Sequence, residues 1–290
     1  MITKNEISDS SVRLGLSLDV IEKDYVLGWV LAAINHDSEL KDKWIFKGGT
    51  CLKKCFFKDY RFSEDLDFTL MNKAHLDTKF LEEKFKSLSE WVYENSGVEL
   101  PIEDINFKER ETIRNTVSIK GKLSYHGPIR RLGSLPRIKL DLTVDEALID
   151  KPVKSIVHHT YTDLEESLFY IHSYSYLEIF AEKLRATVER SLPRDLYDVV
   201  EIYRRKDLLP APTKLKLVLA KKCEFKGVGL PDKGLMTNIE KVAELKSAWN
   251  NMLKHQLRDL PDIEIYMLEY DQLLDWLFAS GGVVGKSLFC

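Results

Sequence analysis

The sequence predicts an α+β protein, with a mixed α+β half over residues 1–165 and a helical half over 166–290. Three observations carry this. Apolar and polar residues alternate over 65–70 and 137–144, the period of half-buried strands. An apolar stretch, Trp44-Ile45-Phe46, runs into Gly48-Gly49, a strand-to-helix junction. From about residue 165 the apolar residues recur at three and four, the period of helices.

In chain order, residues 7–35 read as mostly helical, with Val20, Ile21, Val26, Leu27 and Val30 among the recurring apolar positions. Residues 44–46 predict a short strand and 50–57 a short helix with Cys51, Leu52, Cys55 and Phe56 inward. A loop at 62–64 leads into a strand at 65–70. Residues 81–95 predict a helix with Leu81, Phe85, Leu88 and Trp91 on one stripe, closed near Gly97. Strand patterns return at 113–125 (Ile113, Val117, Ile119, Leu123) and at 137–144. In the latter, Ile138, Leu140, Leu142 and Val144 alternate with Arg137, Lys139, Asp141 and Thr143. In the helical half Leu177, Phe180, Ala181, Leu184 and Val188 make one stripe. Pro193 opens the next helix, which carries Leu196, Val199, Val200 and Tyr203 inward. More helix is expected at 213–225, 238–257 and 264–279, with a loop at 227–234.

Composition narrows the class. Apolar residues at 44% and charged residues at 31% supply an ordinary soluble core. A net charge of −3 leaves no global basic field of the kind many nucleic-acid binders carry. One local stretch, 204–226, holds eight basic residues against Asp207 and Glu224; it suits a nucleic-acid backbone or a solvated helix face equally. Cys51, Cys55, Cys223 and Cys290 show no paired CxxC spacing and read as reduced thiols of a cytoplasmic protein. The start has no signal-peptide character, and no apolar run approaches the roughly 20 residues that span a bilayer, so no membrane partner is expected.

The chemistry concentrates first in residues 44–70. Strand positions i and i+2 share a face and stand about 6.6 Å apart along the chain. Asp65 and Asp67 therefore project together while Leu66, Phe68 and Leu70 face a core. Two carboxylates so held suit magnesium or manganese, which bind oxygen ligands and complete their shell with water and substrate phosphates. Asp141, on the polar face of its own alternating strand, is the candidate third ligand. Gly48-Gly49-Thr50 opens a helix whose free N–H groups can seat a phosphate, and Ser63 can add a hydroxyl or hydrogen-bond within its loop. A second constellation is Lys183, Arg185 and Arg190, followed by Arg194, Asp195 and Asp198. Lys183 and Arg190 lie seven apart beside one apolar stripe, and Asp195 and Asp198 share one side of the next helix. These residues fit either a clamp on nucleotide phosphates or a salt-bridge network between helices.

The segment FKGGTCLKKCFFKDYRFSEDLDFTL, together with EKLRATVER and PRDLYD, resembles the AbiEii/AbiGii-type toxins over roughly residues 20–205. These are nucleotidyltransferase-like toxins of toxin–antitoxin and phage abortive-infection modules. The resemblance implies a DNA-polymerase-β-like minimal nucleotidyltransferase core plus a C-terminal helical domain. It also implies transfer of nucleotides from an NTP to an RNA acceptor, with tRNA 3′ ends known in some relatives, and a cognate antitoxin encoded nearby. The family's active-site residues fall here on Gly48, Gly49, Ser63, Asp65, Asp67, Lys183 and an aspartate of the RDLYD block, Asp195 in preference to Asp198. Asp141 rests on the strand argument alone; Thr50, Arg190 and Arg194 join the expected nucleotide-binding set. The same residues also fit two other readings: an NTP-dependent phosphotransferase acting on itself or a partner protein, and an inactive nucleotide-binding module. Asp65-Leu-Asp67-Phe-Thr69 also spells the DxDxT of haloacid-dehalogenase phosphatases, but a polar Arg61–Glu64 stretch precedes it where a buried parallel strand should lie.

Overall fold

The computed structural model describes residues 1–111, 114–163 and 169–279. The chain divides into two compact units. The first comprises Met1–Glu146, Pro152–Tyr174 and His255–Arg258; the second comprises Ala147–Lys151, Ser175–Lys254 and the chain from Asp259.

The first unit begins with α1 (Lys4–Leu14) and α2 (Leu18–His36), capped by the Thr3 and Ser17 hydroxyls. Its sheet holds β1 (Trp44–Lys47), β2 (Asp65–Leu70), β3 (Asn106–Glu111), β4 (Val117–Ser124), β5 (Arg137–Thr143), β6 (Val153–Ile156) and β7 (Tyr170–Ser173), in the order β3-β4-β5-β2-β1-β7-β6. The pairs β2/β5 and β1/β7 are parallel and the others antiparallel, so the sheet is mixed. Between β1 and β2 lies α3 (Gly48–Cys51), which continues into one π-helical stretch, Leu52–Phe56. After β2 comes α4 (Thr78–Ser96), stopped by Gly97 in the left-handed conformation. One face of the sheet is apolar: Trp44, Phe46, Leu66, Phe68, Ile138, Leu140 and Leu142 are all buried. Trp44 and Phe107 close on Phe85 of α4. α2 is buried nearly all round from Val20 to Ile34, which is why its apolar pattern fills more than one stripe.

The second unit is helical: α5 (Tyr176–Glu189), α6 (Pro193–Arg204), α7 (Pro212–Lys226), α8 (Gly234–Thr237), α9 (Ile239–Leu253) and α10 (Ile263–Ala279). α5 packs on α6 and α7, and α6 on α9 and α10. No described helix is long and apolar enough to cross a membrane.

The α+β architecture agrees with the sequence reading, and β2 spans the expected residues. Five elements differ. Helix begins at Gly48 rather than Thr50, because the glycine turn itself joins the first helical turn. The strand expected over 113–125 is shorter, Val117–Ser124; Ile113 lies outside the described residues. β3 was not anticipated, since five of its six positions are exposed and only Phe107 is apolar and buried. β6 and β7 were missed because four residues hold too little alternation to register.

Candidate active site

The opposite face of the sheet is charged. In the parallel β2/β5 pair, Asp67 is the register partner of Asp141, and Asp65 of Lys139. Across β1, Asp67 pairs with Lys47, and across β4, Asp141 pairs with Lys120. Cross-strand partners share a face, so one row reads Lys120, Asp141, Asp67, Lys47, with Asp65 and Lys139 in the adjoining row. The Asp65 and Asp141 side chains are 38% and 34% exposed. Lys120 binds the Asp141 carboxylate, Lys139 Nζ stands 3.8 Å from Asp65, and Lys47 Nζ is 3.2 Å from Glu146. Lysines thus offset the like-charge repulsion of three clustered aspartates.

The glycine turn is built against this row. Gly48 has φ +82°, and a Cβ there would lie 2.2 Å from Asp67 Oδ2. Only glycine satisfies both demands. A Cβ on Gly49 would meet an Arg61 guanidinium nitrogen at 2.7 Å and Ser63 Oγ at 3.2 Å, so Ser63 faces the same turn. Thr50 is buried and its hydroxyl donates to the Asp65 carbonyl, which places it in the scaffold that holds β2. Arg61, also buried, donates to Gln256 Oε1 at 2.8 Å and braces the loop before β2. Behind the π-helical stretch, Lys54 Nζ binds Asp24 Oδ2 at 2.8 Å and the Asp24 carbonyl at 3.0 Å, both side chains almost fully buried. Burial alone would raise the Asp24 carboxyl, but Lys54, Lys53 and the Tyr161 hydroxyl outweigh it and hold it below the usual range. The neighbouring α2 residues reach other loops: Lys23 binds Glu64, and Glu22 accepts from the Ile129 N–H.

In the helical unit, Lys183 Nζ stands 2.6 Å from Asp198 and 3.7 Å from Asp195. Arg190 binds Asp195 with two parallel bonds of 2.7 and 2.8 Å. Both aspartates are completely buried and Lys183 nearly so. Of the expected second constellation, the structure therefore brings Lys183, Arg190, Asp195 and Asp198 together as one ion cluster; Arg194 is half-buried at the start of α6. The basic stretch 204–226 is not one free surface: Arg204 is held by Glu201 and Glu269, and Lys222 is buried against Glu178 at 2.7 Å.

A family profile described as nucleotidyl transferase AbiEii toxin, type IV toxin–antitoxin system, matches residues 29–280. The chain belongs to this family. Among solved structures it is similar to the nucleotidyltransferase toxin MenT4 of Mycobacterium tuberculosis H37Rv, at 16% identity and a TM-score of 0.61 over 96% of this chain and 90% of that one. It is likewise similar to JHP933 of Helicobacter pylori, at 17% identity and a TM-score of 0.60 over 91% and 94% of the two chains. At such identities the likeness speaks for a shared fold. A search of curated proteins found no match.

The carboxylate face of this AbiEii chain fits a hard divalent cation in its chemistry. The donors are carboxylate oxygens, set side by side by strand register, and lysine ammonium groups stand at two of them as counter-charges. Among the described residues, no three Asp, Glu, His or Cys side chains converge tightly enough to hold a metal alone. Magnesium commonly takes one or two carboxylates and draws its remaining ligands from water and phosphate. The lysines of the row and the Asp24–Lys54 pair escaped sequence reasoning. For Lys120 and Lys139 the signal was their place on the polar side of an alternating strand. For Asp24 it was a charge inside a helix otherwise apolar on every side.

Proposed function

We propose that this AbiEii-family toxin transfers a nucleotide from an NTP to the 3′-hydroxyl of an RNA, a tRNA 3′ end foremost, and so blocks translation until a cognate antitoxin counters it. The observation that supports this most is the row in which Asp67 and Asp141 stand in register, Asp65 lies two residues along the strand, and Gly48 abuts the Asp67 carboxylate. In this reading Asp65, Asp67 and Asp141 hold magnesium or manganese. The bound metal would supply an acidified 3′-hydroxyl and charge neutralisation at the phosphates. Backbone N–H groups of Gly48 and Gly49 and the Ser63 hydroxyl take triphosphate oxygens. Thr50 keeps β2 at its distance from the glycine turn through the Asp65 carbonyl. Lys183 is assigned phosphate charge by family resemblance, with Asp198 and Asp195 fixing its ammonium and Arg190 holding Asp195; Arg194 remains a nucleotide contact in this assignment.

The test is label transfer. The purified chain is incubated with magnesium, total RNA and each α-labelled NTP in turn, beside Asp67→Asn. Label in an RNA band with the native chain alone is the expected outcome. Label that enters protein from a γ-labelled NTP, with none in RNA, would replace nucleotidyl transfer by phosphoryl transfer.

A further inference from the structure

A cavity lies in the first unit, away from the carboxylate row. It measures about 640 Å³ and is walled by α2, α4 and the β6/β7 edge of the sheet. Lys41 and Asp42, which line it, immediately precede β1, whereas Gly48 follows β1. The length of that strand, about 13 Å, separates the two places. Tyr170 and His172 of β7, which runs parallel to β1, belong to the cavity end.

The lining has a specific chemistry. Trp29 and Trp91 stand 6.2 Å apart between ring centroids, and His36 stacks on Trp91 at 4.9 Å and 22°. Lys154 lies over the Tyr170 ring at 4.9 Å. Flat aromatic surface of this kind suits a nucleobase, which stacks whatever its sequence. Asn35 lines the cavity and its side-chain amide has no hydrogen-bond partner among the described residues, leaving a donor and an acceptor for a base edge. Lys41 and Lys154 are exposed, and neither has a carboxylate partner among the described residues. The one carboxylate of the lining, Asp42, sits 3.7 Å from His172. One acid against two unpaired lysines disfavours a metal ion and favours an anion.

We infer that this cavity binds a nucleoside phosphate, with the base against Trp91 and its neighbours and the phosphate at Lys41 and Lys154. The unit bound comes either from a free nucleotide or from one residue of a single-stranded RNA. The inference does not depend on turnover.

The experiment uses the full chain without divalent metal, in EDTA, and follows AMP, adenosine and a single-stranded hexa-adenylate by isothermal titration. The variants are Trp91→Ala, Lys41→Glu with Lys154→Glu, and Asp67→Asn, each checked by circular dichroism. Trp91→Ala is expected to weaken AMP at least fivefold, the low end for loss of one base–aromatic stack. Should Trp91→Ala not fold, the exposed lysine pair decides. The lysine double variant is expected to weaken AMP at least fivefold and leave adenosine unchanged; Asp67→Asn reports whether any binding belongs to the carboxylate row instead. AMP binding with this pattern supports a free nucleotide as the source; hexa-adenylate binding with this pattern and no AMP binding supports an RNA strand. No binding by either, binding indifferent to Trp91 and the lysines, or binding lost only in Asp67→Asn would overturn the inference.

Discussion

Replacing Gly48 by alanine tests the closest approach in the carboxylate row. Two costs combine. An L-residue at φ +82° is strained by about 1–2 kcal/mol. The new methyl would also stand 2.2 Å from Asp67 Oδ2, 3.0 Å from its Cγ and 3.2 Å from its Cβ, so the carboxylate or the turn must move. Forcing an extra methyl into filled space costs about 1–3 kcal/mol. The sum, about 2–5 kcal/mol, corresponds to a fall of roughly 4–20 °C in the melting midpoint at 2–4 °C per kcal/mol for a body of this size. The assay is a double-mutant cycle by thermal or urea unfolding over native, Gly48→Ala, Asp67→Ala and the double variant. Asp67→Ala removes the two closest atoms and leaves the backbone strain. The double variant should therefore be more stable than the sum of the single losses by about 1–3 kcal/mol. A Gly48→Ala loss below about 0.5 kcal/mol, the range of ordinary surface changes, together with strict additivity, would refute the close approach and the cradle built on it.

The other outcomes can be stated briefly. Lys54→Met strands the buried Asp24 carboxylate and should cost about 3–5 kcal/mol in chemical denaturation, and adding Asp24→Leu should recover much of that loss. Lys120→Met removes a cation from Asp141 and should strengthen magnesium binding, read by titration calorimetry, about fivefold, the equivalent of about 1 kcal/mol for unit charges at 4 Å in water; weaker binding would show that Lys120 is not competing for that carboxylate. Burial holds His75 and His159 below the ordinary histidine range. The unfolded chain therefore binds protons there that the folded chain does not. Stability should rise with pH towards about 6.5 and fall below it, by at most about 1.4 kcal/mol per pH unit for each histidine. His159→Phe should flatten that slope in urea titrations run between pH 5 and 7, and an unchanged slope would count against a neutral, buried imidazole.

Strand periodicity made the carboxylate face legible. In β5 the apolar positions 138, 140 and 142 had to face the core, so Asp141 had to lie opposite. In β2 the same rule put Asp65 and Asp67 outward. Because a one-residue slip would turn either strand inside out, the pattern that assigns faces also constrains pairing, although only the structure shows Asp67 in register with Asp141 rather than with Lys139. Gly48-Gly49 was readable as a turn; that its first glycine is demanded by the Asp67 carboxylate was not, because that contact joins residues nineteen positions apart through the β1/β2 pairing.

Charge pairing was far less legible than facing, for a physical reason. Periodicity reports whether a side chain is buried, and it assigns charged residues to solvent by default. Asp195, Asp198, Asp24 and Glu178 break that default: all are buried, and each is tolerated because a lysine or arginine from another element meets it. Neither partner announces the other in the sequence. The RDLYD block illustrates the consequence. Its aspartates read as a catalytic carboxylate, Asp195 in preference to Asp198, or as ion-pair members, and the structure sets Asp198 against Lys183 and Asp195 against Lys183 and Arg190. Whatever Lys183 does for a phosphate, it does as a lysine whose position Asp198 sets at 2.6 Å. Asp198→Asn should therefore move that ammonium while keeping the residue volume. A variant that kept its stability and retained nucleotide affinity would show that the aspartate has no part in aiming Lys183.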